Sequence, residues 1–208
     1  MVDAAPTRRR GRPPATDSAD TRRAIFDSAR RLFAERGYGA VTNRDVADAV
    51  GITTGALYHY VDSKLDLYLA VHRDMQRRVY GRFVEAVESC SSFLGQLDAV
   101  LEAAHELDVE DPTLALFVGT VRTDMRRFPE IAERLEQSVA ARDDFFVSIA
   151  DAGVASGEIR PGDREMVVEF IRVLLIGLTE GGTESPGRHR LAIDSIRALL
   201  RGDLIVER

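Results

Sequence analysis

The chain has 208 residues, 45% of them apolar and 30% charged, with a formal net charge of −6. Such a composition suits a globular protein of one medium domain, or of a small domain joined to a larger one. No apolar run approaches the ~20 residues of a bilayer span and no apolar leader opens the chain, so the expectation is a cytoplasmic protein with no membrane partner. The single cysteine, Cys90, excludes an internal disulfide and reads as a small buried apolar residue. Charge is unevenly spread. Residues 1–65 carry 11 basic and 8 acidic side chains (+3), and the remainder 17 and 26 (−9). A basic front and an acidic back fit a protein that meets a polyanion with one end only.

Residues 1–20 lack apolar periodicity, hold Pro6, Gly11, Pro13 and Pro14, and are expected to form a disordered basic arm. From Thr21 a helical stripe begins, with Ile25, Ala29, Leu32 and Phe33 on one side. Gly37 and Gly39 are placed to end it. Three helix starts then follow within about twenty residues. Thr42 with Asp45 forms a capping-box pattern, flanked by Val41 and Val46 as a hydrophobic staple. Gly51 permits a sharp turn, and Thr53 caps a second short helix stapled by Ile52 and Leu57. Ser63 with Asp66 starts a third. A helix, a tight glycine-containing turn and a second helix is the helix-turn-helix pattern. Longer helices are predicted over 64–88, 92–107, 112–126, 129–156, 163–181 and 186–201. Pro112, Pro129 and Pro186 sit at tolerated first-turn positions, and Gly157 and Gly202 at helix ends. Period-two alternation is missing, so the expected fold is all-α: the arm (1–20), a three-helix DNA-binding unit (21–66) and a larger helical domain (67–208).

The stretch from Thr42 to Val71, TNRDVADAVGITTGALYHYVDSKLDLYLAV, with the helix before it, resembles the DNA-binding domain of the TetR family over roughly residues 21–71. The resemblance is carried by Gly-Tyr-Gly before Thr42, the Gly51 turn, Thr-Gly-Ala-Leu-Tyr at 54–58, and Tyr60 with Ser63-Lys64. Val61 departs from it, since the family usually has Phe there. The physical reading agrees. A recognition helix enters the major groove by its N-terminal end, where Thr53, Thr54, Gly55 and Ala56 are small enough for close approach. Thr54 and Ala56 offer methyl groups to thymine, and free N–H groups at helix starts attract phosphate. The phenols of Tyr58 and Tyr60 suit the backbone. The resemblance implies that Thr42, Tyr58 and Lys64 contact phosphates, while Thr54, Gly55, Ala56 and His59 face bases. Arg44 can reach either. Taken singly, each of these residues has a plainer role as cap, half-buried aromatic or solvated charge; their company on one short unit favours DNA. Arg10 and Arg12, within Arg-Arg-Arg-Gly-Arg-Pro, fit either an arm in the minor groove of A·T-rich DNA or a solvated tail.

Behind this unit, residues 163–181 present apolar side chains nearly all round, which demands burial on every side. One face is expected to meet the chain's own core and the other a second copy of the chain. Leu174 and Leu178, with Ile196 and Leu200 of the last helix, are the expected dimer contacts, and the resemblance implies a four-helix interface of the same kind. A central helix in a monomer is the alternative. Aromatic residues of the middle helices are either core or the wall of an effector pocket. Phe83, Phe117, Val121, Arg122, Met125, Phe128, Phe145 and Phe170 are the pocket candidates. No HExxH, GxSxG or phosphate-loop motif is present and the four histidines lack ligand spacing, so no enzyme, metal or cofactor is expected. The resulting expectation is a dimeric repressor on a palindromic double-stranded operator, released by a small, largely apolar effector. An effector-independent architectural DNA-binding protein is the alternative, and a helical enzyme or lipid carrier with an accidental motif is a third reading.

Overall fold

The computed structural model describes residues 15–136, 140–182 and 186–205, and structural statements refer to these residues. Arg10 and Arg12 lie outside them. Every regular element is a helix: α1 (Ala15–Ala40), α2 (Asn43–Val50), α3 (Thr54–Leu57), α4 (Lys64–Val87), α5 (Phe93–Glu110), α6 (Thr113–Arg127), α7 (Pro129–Glu136), α8 (Ala140–Ser156), α9 (Arg164–Gly182) and α10 (Pro186–Arg201), with a 3-10 turn at Pro161–Asp163. None is long and apolar enough to cross a membrane.

Two sequence expectations are corrected here. Helix α1 starts at Ala15, so residues 15–20 are helical rather than part of an unstructured arm. The extra turn has no apolar stripe to reveal it, because Ser18, Ala19 and Asp20 face solvent. Within the helix expected over 129–156, α7 and α8 are helical and residues 137–139 lie outside the described set. Cys90 is half-buried, its thiol 3.9 Å from the carbonyl of Ala86, rather than fully buried.

The front unit is shaped by its caps. The Thr42 hydroxyl accepts from Asp45 N–H at 3.2 Å, and the Asp45 carboxylate accepts from Thr42 N–H at 2.7 Å. Val41 and Val46 are both fully buried beside this box. Gly51 takes the left-handed conformation (φ 75°, ψ 30°), and Ile52 N–H reaches back to the carbonyl of Ala47, a Schellman-type stop open to glycine at little cost. Thr53 caps Ala56 and Ser63 caps Asp66 in the same manner.

α1 is more than the first helix of this unit, since it also lies along α6. Arg30, only 1% exposed, donates to Asp111 at 2.6 Å and to Thr113 at 3.2 Å. The Thr120 hydroxyl donates to the carbonyl of Ala34. Between the helices Phe33, Tyr38, Tyr68 and Phe117 pack with ring centroids 4.9–6.5 Å apart, mostly edge to face. The core therefore runs without interruption from the front unit into the back.

Candidate DNA-binding surface and ligand cavity

α3 is one turn long and has a single fully buried side chain, Leu57, which anchors it to the core. Its remaining residues look outward. Thr53, Gly55 and His59 are exposed, Thr54 and Ala56 are partly so, and Tyr58 is 50% exposed. Thr42 is exposed at the start of α2, and Arg44 one turn along is exposed and pairs loosely with Asp48 at 3.6 Å. Tyr60 is half-buried against the core, and Val61, in the place of the larger Phe, is buried. One surface thus displays small groups, hydroxyls, an imidazole and a guanidinium at two helix starts, which is the chemistry that meets base edges and phosphates.

Lys64 has a duty not foreseen from the sequence. Its ammonium donates to the carbonyl of Tyr38 at 2.9 Å and lies 4.2 Å from the centre of the Tyr38 ring. Two of its three N–H donors remain. Lys64 thereby ties the start of α4 to the end of α1, where Gly37 breaks the helix with φ 74°.

That junction is also held from behind. Asp124 of α6, buried, accepts from Tyr38 N–H at 2.9 Å and from the Tyr68 hydroxyl at 3.0 Å. Burial, together with the Asp124 carboxylate, pushes the phenol of Tyr68 well above its ordinary range and keeps it a donor. Asp124 is a hydrogen-bonded pin among α6, α1 and α4. Phe128 completes the junction with its ring 5.1 Å from that of Tyr38.

Beyond the pin lies a cavity of about 500 Å³. α4 contributes His72, Met75, Gln76, Val79, Tyr80 and Phe83; α6 contributes Val118, Val121, Arg122 and Met125. Ala104, Leu135, Arg142, Phe146, Arg172, Leu175, Ile176 and Thr179 close it from α5, α7, α8 and α9. Of the pocket residues expected from sequence, Phe83, Val121, Arg122 and Met125 line it, and four do not. Phe117 is fully buried in the α1–α6 aromatic cluster, and Phe128 is turned to Tyr38. Phe145 stacks behind Phe83 at 5.8 Å. Phe170 is 40% exposed on the outer side of α9. Aromatic character alone did not separate these faces. The helical spacing of His72, Gln76, Val79, Tyr80 and Phe83, a polar pair set into an apolar stripe, was the available signal. For Arg142 and Arg172, brought in from α8 and α9, there was none.

His72 is 6% exposed, and burial followed by the charges of Arg142 and Arg73 holds its imidazole down at about 4. It is neutral at physiological pH. Its Nε2 lies 3.3 Å from the amide nitrogen of Gln76, and its Nδ1 is buried with no partner. Elsewhere the fold brings His105 and His189 together at 3.1 Å, Nδ1 to Nδ1. Among the described residues, no group of three or more His, Cys, Asp or Glu is placed to hold a metal ion.

Of the four expected dimer contacts, Leu200 is exposed and the other three are covered to different degrees. Leu178 is 4% exposed and belongs to the chain's own core, and Leu174 and Ile196 are partly buried. The exposed stripe is Met166, Phe170 and Val173 on α9, with Leu191, Leu199 and Leu200 on α10. A sequence apolar all round does not say which side is inward.

Known proteins are similar to this chain at both scales. The profile of the family described as bacterial regulatory proteins, tetR family, matches residues 25–71. The HTH-type transcriptional repressor KstR2 of Rhodococcus jostii (strain RHA1) is 31% identical over 167 residues, which is 77% of this chain and 80% of that protein. The HTH-type transcriptional regulator UidR of Escherichia coli (strain K12) is 26% identical over 194 residues, 91% of this chain and 95% of UidR. Among solved structures, Salmonella enterica GusR superposes with a TM-score of 0.74 at 25% identity, covering 92% of this chain and 99% of its own.

Proposed function

The chain belongs to the TetR family of DNA-binding transcriptional regulators, and from that premise we propose that it is a dimeric repressor released from a palindromic operator by a small molecule held among α4, α6, α8 and α9. The observation that carries the release step is the sharing of α4 and α6. Both line the ≈500 Å³ cavity, and both are tied through Asp124 to the residues that orient the recognition unit. A ligand that prefers a displaced α6 shifts the spacing of the two recognition helices, which must match major grooves about 34 Å apart. A sealed, fully packed middle domain would instead favour the effector-independent architectural reading; the cavity supports the effector.

In this reading Thr42, Tyr58 and Lys64 position the duplex, Thr54, Gly55, Ala56 and His59 read bases, and Thr53, Tyr60 and Arg44 support them. The second copy meets the stripe of Phe170 and Val173 on α9 and of Leu199 and Leu200 on α10. The test combines selection of bound DNA from random duplexes with sedimentation at micromolar concentration. A consensus with two inverted half-sites and a dimer for the wild type are expected, and a monomer for Val173→Glu, whose side chain is 68% exposed in the single chain and so leaves its core intact. A single undivided site, or a wild-type monomer, would overturn the proposal.

A further inference from the structure

The cavity is apolar over most of its wall, yet its charged groups have one sign. Three guanidinium groups, Arg122, Arg142 and Arg172, line it, and no carboxylate does so among the described residues. Their carboxylate partners stand outside the lining. Asp143 accepts from Arg142 Nε at 3.0 Å and from Arg172 at 2.9 Å, so one carboxylate serves two cations. Glu169 and Glu180, beside Arg172 and Arg122, are 65% and 64% exposed. Arg142 makes its hydrogen bond through Nε alone, which leaves both terminal nitrogens of its fork without a protein partner among the described residues. His72, also on the wall, has its basicity lowered first by burial and then by the positive charge of Arg142.

We propose that the effector is an amphipathic oxyanion, its carboxylate or phosphate held by the terminal nitrogens of Arg142 and its apolar body against Met75, Val79, Phe83, Val121 and Met125. The inference rests on the reading of the cavity as the effector site and names the ligand class. A planar fork recognises two oxygens at once, and charge-assisted bonds in a water-poor wall are worth more than neutral ones. A cationic or neutral head leaves the terminal nitrogens of Arg142 without an anionic acceptor.

Four probes of equal body test it by calorimetry on the full chain without DNA: decanoate, decyl phosphate, 1-decanol and decylammonium. At least one anion is expected to bind tenfold or more tighter than decanol and decylammonium, and the better anion identifies carboxylate or phosphate as the head. Arg142→Gln is expected to weaken that anion about tenfold while leaving decanol unchanged, and Arg142→Lys to restore part of the loss. Anions that bind no tighter than decanol, tighter binding of decylammonium, or no binding by any probe would overturn the inference. Because the probe series uses the wild type, a variant that fails to fold does not blunt the test. Operator release is scored separately. Decanoate that binds but leaves the operator occupied defeats the induction reading alone, and release by decanol but not by the anions defeats the oxyanion alone.

Discussion

The start of α4 and its middle are built by different rules. At the start, each turn of the DNA-binding unit is fixed by partners three residues apart: Thr42 with Asp45, Thr53 with Ala56, Ser63 with Asp66. Around the middle, the cavity is walled by side chains from α4 to α9, and its anchors reach across 56 to 86 residues of sequence, as in Tyr68 and Tyr38 on Asp124. A surface that must present one fixed shape to DNA is thus specified locally. The cavity, proposed above as the effector site, depends on how distant helices pack, and packing is what a ligand can change.

Substitutions separate the two regimes. The largest effect is expected at a long-range anchor. Arg30→Ala removes a fully buried guanidinium, leaving Asp111 only Arg78 and Thr113 as partners and a hole between α1 and α6, and is expected to cost about 3 kcal/mol in urea unfolding. A loss under 1 kcal/mol would show that α1 and α6 do not depend on this pair. The second effect is on pH. The imidazole of His72 is held below its unfolded value, so its neutral form favours the fold. That stability is complete above about pH 6.5 and is lost as pH falls through about 4, a change on the order of 3 kcal/mol. His189, also lowered by burial, adds a smaller share with the same sign. His72→Gln is expected to flatten most of the slope between pH 6.5 and 4; an unchanged slope would remove His72 as its source.

On the DNA side the effects are smaller and of another kind. Thr54→Ala and His59→Ala are expected to change preference among operator bases by about 1–3 kcal/mol at single base pairs. Tyr58→Phe and Lys64→Ala are expected to weaken all sequences alike, with Lys64→Ala lowering the salt slope by about one. Equal losses on every sequence for all four would contradict the division. Lys64→Ala also removes the bond to Tyr38, so its melting curve must be read beside its binding curve. The smallest effect is expected at a cap. Thr42→Ala should cost about 1 kcal/mol and leave the cavity's ligand affinity unchanged, which titration would check.

Legibility followed the same divide. The caps, the Gly51 turn, the start of α4 and the outward residues of α3 were readable because their partners lie within a turn of each other in sequence. The bounds of α10 were readable from Pro186 and Gly202. Asp124 could be flagged as a charge in an apolar setting, but its partners, 56 and 86 residues away, could not be named. Half of the pocket candidates failed for a related reason. Phe117 and Phe145 are as aromatic as Phe83, and only the rotation of each helix decides which ring meets the cavity. On α9 the apolar residues encircle the helix, so the sequence demanded burial on all sides without distinguishing Leu178, turned inward, from Val173, turned outward.

Asp124 sets a threshold as well as a position. A hydrogen bond to a charged acceptor is worth about 1.5–3 kcal/mol, and Asp124 accepts two. Any motion that draws α6 away from both the end of α1 and α4 forfeits the two bonds before it gains anything. A ligand that acts by such a motion must favour the displaced arrangement by several kcal/mol, where a tenfold loss of operator affinity by itself requires only about 1.4. Weak or nonspecific occupants of an apolar cavity fall short of that margin. If the cavity is the effector site proposed above, the carboxylate acts as a noise filter, letting molecules enter without each of them reaching the DNA.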